Sequence, residues 1–429
     1  MGRRLPRSWG GYLVITALSA LQGAQLSLVA PYLNSLGYPP ALIGALVAVA
    51  TVVSLVSRLP VGLVYRAEHA RWLRALAVAA LALALAVHPL VVAPLAVLAV
   101  RAVTGLAYGL ATTVNFARFV DEQPAGPDRA RAMGYYTAGI AVGYSIASFV
   151  VGFVVEAGGF GVAFLTGAAL VLTGVLGLLD RTPLAYSPLL AAAVAGASSD
   201  AGHPRAAAAA APSDEGAVAR SSSQPGGLAA ARALLLSPAL LVLVLESFML
   251  NAHWAFWNAW LPLYALSFGI GLADVGLTRA AFGLFNAIGR PLGGGVVARL
   301  GAQRLAVLGL TIQCLLLMLL PAMPWLGALL VIFILIGVLR AVGIVANTVG
   351  VVDCSDALGL GRGRMAAMFN TSSDLGILSG PAIGGLVAQV IGPVQVFVVV
   401  PLGMLLSYLA ALGLSQVAAR RWAGRATGP

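Results

Sequence analysis

The chain is a succession of apolar runs, each long enough to cross a bilayer, and that settles its solvent before any motif is considered. Runs of roughly 20 residues fall near 11–34, 41–64, 73–91, 93–118, 132–156 and 159–180. A second series falls near 238–267, 273–297, 303–321, 326–352, 365–390 and 394–417. A backbone in lipid must satisfy its own hydrogen bonds, so runs of this length predict helices. The expectation is an all-α integral membrane protein with twelve transmembrane helices, six in each series. With 60% of residues hydrophobic and 9% charged, a soluble globular domain is excluded. The first run follows Met1-Gly2-Arg3-Arg4, is too long for a signal-peptide core, and leads straight into the second. It is expected to be an uncleaved span.

A net charge of +11 would suggest a nucleic-acid partner in a soluble chain. Here every basic residue other than histidine is arginine, and the arginines follow topology instead. Arg3, Arg4 and Arg7, then Arg66, Arg71 and Arg74, then Arg129 and Arg131 lie on one side of the predicted membrane. So do Arg181, Arg205, Arg220 and Arg232, followed by Arg299 and Arg304, Arg362 and Arg364, and Arg420, Arg421 and Arg425. Only Arg279 is assigned to a loop on the opposite side. Positively charged loops stay in the cytoplasm, which predicts a multi-pass protein of the cell (inner) membrane with both termini cytoplasmic and no nucleic-acid partner. Between the two series, 183–234 contains Ser198-Ser199-Asp200, an alanine run and Ser221-Ser222-Ser223. It has little to bury and reads as a flexible cytoplasmic linker joining bundles at 1–182 and 235–429.

The two series repeat each other. A shift of 232 residues superposes Gly44 on Gly276, Arg58 on Arg290, Gly62 on Gly294 and Asp121 on Asp353. A shift of 233 superposes Arg129 on Arg362, Arg131 on Arg364, Gly143 on Gly376 and Gly152 on Gly385. So constant an offset across separate landmarks predicts two pseudo-symmetric six-helix bundles in parallel repeat, with any solute site between them near the midplane.

Three motifs carry a family resemblance. Gly376-Ile377-Leu378-Ser379-Gly380-Pro381-Ala382-Ile383-Gly384-Gly385 matches every fixed position of G-x-x-x-G-P-x-x-G-G. This resembles the glycine-proline signature of major facilitator superfamily antiporters, although that signature normally marks the fifth helix and here it lies in the eleventh. Arg101-Ala102-Val103-Thr104-Gly105 resembles the R-x-x-q-G signature of proton-coupled exporters in span four. The loop after span two carries a degraded form of G-x-x-x-D-R-x-G-R, with Arg66 where the acid belongs; the second copy keeps Arg299 and Gly301 but has Ala298 for the acid. The resemblance implies the superfamily fold, alternating access, a small-molecule substrate and protons as the coupling ion.

Bottom-up, Gly376, Gly380 and Gly384 form a bare stripe on one helix face that lets a neighbour approach backbone to backbone. Pro381 removes a hydrogen bond and is expected to kink or loosen the helix there. Arg101 and Tyr108 share a face of span four, and Arg340 and Asn347 one of span ten. An arginine inside a span faces a partner or a wet cavity unless it snorkels. Span seven is the most polar, with Glu246, His253, Trp257 and Trp260 in one sector, of which Trp260 suits an interfacial belt. In span eleven Asn370 and Asp374 lie opposite the glycine stripe, and Gln22 and Gln25 of span one either line the cavity or bridge helices. The expected cavity is therefore Gln22, Gln25, Arg101, Tyr108, His253, Trp257, Arg340, Asn347 and Asn370. Glu246 and Asp374 are the expected proton carriers, with Arg340 as their partner. Arg66, Asp121, Arg131, Arg299, Asp353 and Arg364 are expected to gate the cytoplasmic side. The few histidines and cysteines have no metal-ligand spacing and no catalytic constellation or phosphate loop stands out. No metal, no cofactor and no enzyme activity are expected. Proton-driven export of a small organic solute by a monomer in the lipid bilayer is the favoured reading, with proton-coupled uptake of an organic anion or small metabolite as the alternative.

Overall fold

The computed structural model describes residues 9–64, 68–122, 127–180, 238–357 and 362–426. Arg66, the expected linker 183–234, and the side chains of Asp121, Arg131, Asp353, Arg364 and Asn370 lie outside the described residues. The first bundle contains α1 (Trp9–Ser35), α2 (Pro40–Val64), α3 (Ala70–Val87), α4 (Pro94–Glu122) and α5 (Pro127–Leu176). The second contains α6 (Pro238–Ser267), α7 (Leu272–Leu300), α8 (Ala302–Met318), α9 (Leu326–Ala357) and α10 (Arg362–Ala426).

Among the described residues nine helical stretches are long and apolar enough to cross a membrane, and two of them, at 42 and 45 residues, are twice the length one crossing needs. Each double stretch is broken at a glycine with positive φ, Gly159 (77°) in α5 and Gly392 (85°) in α10. A side chain at that φ would collide with its own backbone, so glycine lets the chain reverse there. The two breaks are 233 residues apart, which is the repeat offset. Helix α7, which carries Asp274, Arg279, Arg290 and Arg299, is too polar on average to count among the nine, yet it packs between α5 and α9. The result is twelve helices in two pseudo-symmetric bundles of six. Helix α10 continues through Pro381, and its one non-helical residue is Gly392, so the expected kink at the proline is replaced by a break eleven residues on.

The glycine stripe of α10 lies on α6 one turn at a time. A β-carbon at Gly376 would run into the Phe248 carbonyl, at Gly380 it would lie 2.5 Å from the Ala252 carbonyl and 2.6 Å from the Phe256 nitrogen, and at Gly384 it would meet the Trp260 ring. Trp260 is therefore no interfacial anchor: it is buried, and its indole nitrogen donates to the Pro381 carbonyl at 3.3 Å.

On the face opposite the termini the bundles meet at two seams that repeat each other. At one, Gly44 of α2 and Gly385 of α10 face each other; at the other, Gly276 of α7 and Gly152 of α5 do so. Each seam also carries a helix cap supplied from the other bundle. Glu156 of α5 accepts a hydrogen bond from the Ala273 backbone N–H at 2.9 Å, at the start of α7. Gln389 of α10 does the same for Ala41 at 3.4 Å, at the start of α2. Ala41 and Ala273 are 232 residues apart, Glu156 and Gln389 are 233 apart, and only one cap is ionisable. A carboxylate at a helix N-terminus gains from both the free N–H and the helix dipole.

Two predictions follow from this packing. Gly380→Leu should destabilise the detergent-solubilised protein by about 1–3 kcal/mol or more through overpacking against α6, while Ser379→Leu, beside the stripe, should be mild; thermal unfolding of the two variants checks this. Glu156→Gln should shift the closed-to-open ratio of the sealed face roughly two- to fivefold towards open, and Gln389→Glu should shift it the other way. Distance distributions between spin labels at the exposed positions Ser35 and Ser267, one on each bundle, read both.

Candidate functional site

Between the seams and the terminus side lies a cavity of about 900 Å³, counting the space at its mouth. Helices α1, α2 and α4 supply most of its wall, with shorter stretches of α6 and α10 opposite. Gln22, Gln25, Arg101 and Tyr108 all front it. So do Trp254 of α6 and Asp374 of α10.

The guanidinium of Arg101 is committed to helix packing. Its Nε donates to the Leu46 carbonyl at 3.1 Å, one terminal nitrogen to the Val47 carbonyl at 2.8 Å, and the other to Gln25 Oε1 at 2.8 Å. One and two turns further along α4, Gly105 and Gly109 press against the backbone of α2 at Ala50 and Ser54. The arginine and glycine of the exporter-like signature thus join α4 to α2 and α1, with the buried charge satisfied by carbonyl dipoles.

Asp374 finds its partner across the seam. Arg58 of α2 donates to its two oxygens at 2.9 and 3.2 Å, joining the bundles on the terminus side of the cavity. The Arg58 side chain keeps 39% of its surface exposed and that of Asp374 keeps 14%, so the pair is wet on one side. Tyr108 stands within electrostatic reach of both. The expected pairing of Asp374 with Arg340 is replaced by this one. Arg340 bonds to the Leu250 carbonyl and to Asn251 Oδ1 at 3.1 Å, and its guanidinium lies 5.5 Å from the centre of the Trp254 ring.

Four residues expected at the cavity wall or as its proton carrier lie inside the second bundle instead. Trp257 is wholly buried against Phe282 and Phe333, with ring centres 4.7 and 4.6 Å away. His253 is buried with both ring nitrogens unpartnered. Asn347 accepts from Ser247 at 2.7 Å and donates to the Leu243 carbonyl at 3.1 Å. Glu246, at 1% exposure, has its Oε1 without a hydrogen-bond partner. The cause is rotation: α6 turns Trp254, Ala255 and Ala259 to the cavity, which sends the Glu246–His253–Trp257 stripe inward.

Arg279, assigned to a loop from sequence, is instead two turns inside α7 and fully buried. It donates to Ser27 Oγ of α1 at 2.5 Å and to the Asn258 carbonyl of α6. Tyr144 of α5 completes this cross-bundle junction by donating to Asn258 Oδ1. Arg58 and Arg279 were the residues that sequence reasoning passed over; the repeat pairing of Arg58 with Arg290 was the available signal.

Of the expected gate, Arg299 is exposed and makes no ion pair among the described residues. Next to Asp121, Glu122 lies just beyond the apolar part of α4 and pairs with Arg118, at its edge, at 2.5 Å. Burial pushes the Glu122 carboxyl above its usual range, and the Arg118 guanidinium opposes that.

The sequence pattern of the Major Facilitator Superfamily matches residues 12–361 and 268–427. No curated protein matches the chain by sequence. The fold is similar to that of the nucleoside transporter NupG, at 17% identity and TM-score 0.69 over 95% of this chain and 99% of that one. It is similar also to a bacterial homologue of the human lysosomal transporter Spinster in an inward-facing, unoccupied conformation, at 14% identity and TM-score 0.71 over 98% of each chain. A third similar structure is the peptide transporter POT in complex with sulfate, at 15% identity and TM-score 0.67 over 96% of this chain and 94% of that one. At these identities the structures speak for the fold alone, and the family match speaks for the rest. The chain belongs to the major facilitator superfamily, and is a multi-pass membrane transporter rather than an enzyme.

Proposed function

We propose that the protein is a proton-coupled secondary transporter that exports a small organic solute by alternating access, with Asp374 as the group that carries the proton. The observation that carries this reading is the Arg58–Asp374 pair, which lines the cavity and bridges the bundles at once. While Asp374 is ionised, the pair ties α2 to α10; a proton on Asp374 removes the attraction and lets the terminus side part. Proton binding and bundle movement are then a single event. The moving units are residues 1–182 and 235–429, tethered by 183–234, with both termini in the cytoplasm of a bacterial-type inner membrane. In this orientation the sealed glycine seams face outwards. Arg66, together with Asp121, Arg131, Arg299, Asp353 and Arg364 near the cytoplasmic helix ends, closes the cytoplasmic side in the other state.

Export rests on the antiporter-like stretch Gly376–Gly385 and the exporter-like Arg101–Gly105. A second reading, proton-coupled uptake of an organic anion, is favoured by Arg290 and Arg340, which have no acid partner among the described residues.

Reconstituted vesicles test the coupling, using a solute selected by its stabilisation of the purified protein. Asp374→Asn should abolish accumulation driven by a proton gradient while leaving downhill counterflow measurable. Glu246→Gln, altered inside the second bundle, should keep gradient-driven accumulation and its pH dependence. If Asp374→Asn still accumulates solute against its gradient, the proton is carried elsewhere.

A further inference from the structure

The pseudo-twofold symmetry that pairs the seams fails at one charged position. The repeat places Arg290 of α7 where Arg58 stands on α2, but the equivalent of Asp374 is Ala141, which offers no charge. Arg58 has its carboxylate. Among the described residues Arg290 has no hydrogen bond and no ion pair, and its Nε is buried without an acceptor.

Its direction follows from helix geometry. Arg290 is eleven residues beyond Arg279, three turns and about 20° away on an α-helix, so the two share a face. Arg279 reaches Ser27 of α1 across the seam. Arg290 therefore lies on the same side of α7, three turns nearer the termini, and is half-buried there.

Gly289, next to Arg290, packs on Ala341, next to Arg340: a β-carbon at Gly289 would lie 2.8 Å from that of Ala341, which brings the two positive charges near enough to oppose each other. Arg340 is held by the Leu250 carbonyl and Asn251, and lies over Trp254, which lines the cavity. No carboxylate pairs with either arginine among the described residues. Neighbouring guanidiniums withdrawn from water ordinarily have an anion between them. Arg101 and Arg279 are committed to α1, α2 and α6, and Arg58 to Asp374.

We propose that Arg290 and Arg340, which stand behind Trp254 and outside the lining of the cavity itself, form an anion-recognising subsite next to it, which takes the oxyanion of a small organic carboxylate or phosphate ester. This rests on the transporter reading and adds the substrate class to it. The guanidinium fork matches a carboxylate or phosphate edge, with Arg290 supplying the free donors and Arg340, fixed by Asn251 and Trp254, supplying a rigid second charge. The apolar part of the solute then lies against Trp254.

Thermal unfolding of the full chain in phosphatidylcholine nanodiscs tests this. The probes are benzoate against benzamide, succinate against succinamide, and glucose 6-phosphate against glucose. At least one anion should stabilise the protein where its neutral counterpart does not. Arg290→Gln should weaken that apparent affinity by roughly tenfold or more, and Arg290→Lys by less. The proposal is overturned if no anion outperforms its neutral counterpart, or if Arg290→Gln binds the anion as the wild type does. If phosphatidylglycerol nanodiscs give the whole stabilisation without solute, and benzoate adds nothing, the oxyanion is a lipid headgroup and the solute site is wrong. Should Arg290→Gln fail to purify as a folded species, the paired probes on the wild-type protein decide alone. A neutral solute driven uphill by a proton gradient would sink this subsite and leave proton-coupled transport standing. Anion binding without proton-driven flux would do the reverse.

Discussion

Lipid chains offer a helix as much apolar contact as a neighbouring helix does, so association in the membrane depends on how closely two backbones can approach. In this protein that approach is made at glycine. The stripe Gly376, Gly380 and Gly384 seats α10 on α6, Gly105 and Gly109 seat α4 on α2, and Gly143 seats α5 on α1. The same device, repeated at Gly44–Gly385 and Gly152–Gly276, closes one face of the molecule between bundles. Contacts within a bundle and contacts between bundles are thus chemically alike. They differ in what flanks them: the seams carry polar caps, Glu156 and Gln389, on helix starts of the opposite bundle.

Close packing leaves little room for water, and the buried charges reflect that. Arg101, Arg279 and Arg340 are held by backbone carbonyls, amides and a hydroxyl instead of by acids, although the Nε of Arg279 is left without an acceptor. A carbonyl already engaged in a helix retains a second lone pair, so a guanidinium can dock on a neighbouring helix without breaking it. Such an arrangement is insensitive to proton activity, which suits a fixed structural joint. Arg58–Asp374 is the exception, because a carboxylate can be neutralised by a proton and both partners keep contact with the cavity. In the proposed mechanism this difference in acceptor separates permanent joints from a switchable one.

Helix count and repeat were legible in the sequence because both are one-dimensional. A span is a local run of apolar residues, and an offset of 232 or 233 is a property of the string. Local periodicity likewise showed that Glu246, His253 and Trp257 share one side of α6, since 3.6 residues per turn is a property of the helix alone. It could not show which way that side points. Trp254, one residue from His253, is the side chain at the cavity, and a rotation of about 100° per residue separates a wall from a core. Arg279 was misplaced for a related reason: its charge marks a loop unless neighbouring helices offer acceptors, and those come from Ser27, 252 positions away, and from Asn258 on the preceding helix.

By itself the sequence determined that this chain crosses the membrane twelve times as two repeated halves, because hydropathy and glycine spacing act within a single helix or between positions at a fixed offset. Only the tertiary structure decided that Asp374 meets Arg58, 316 positions away, and not Arg340. It alone decided that Arg290, the repeat mate of Arg58, is left without an acid among the described residues. Pairing across a seam depends on how two bundles are rotated and brought together, and that is fixed by the sum of many glycine contacts, none of which names the charged residues it will juxtapose.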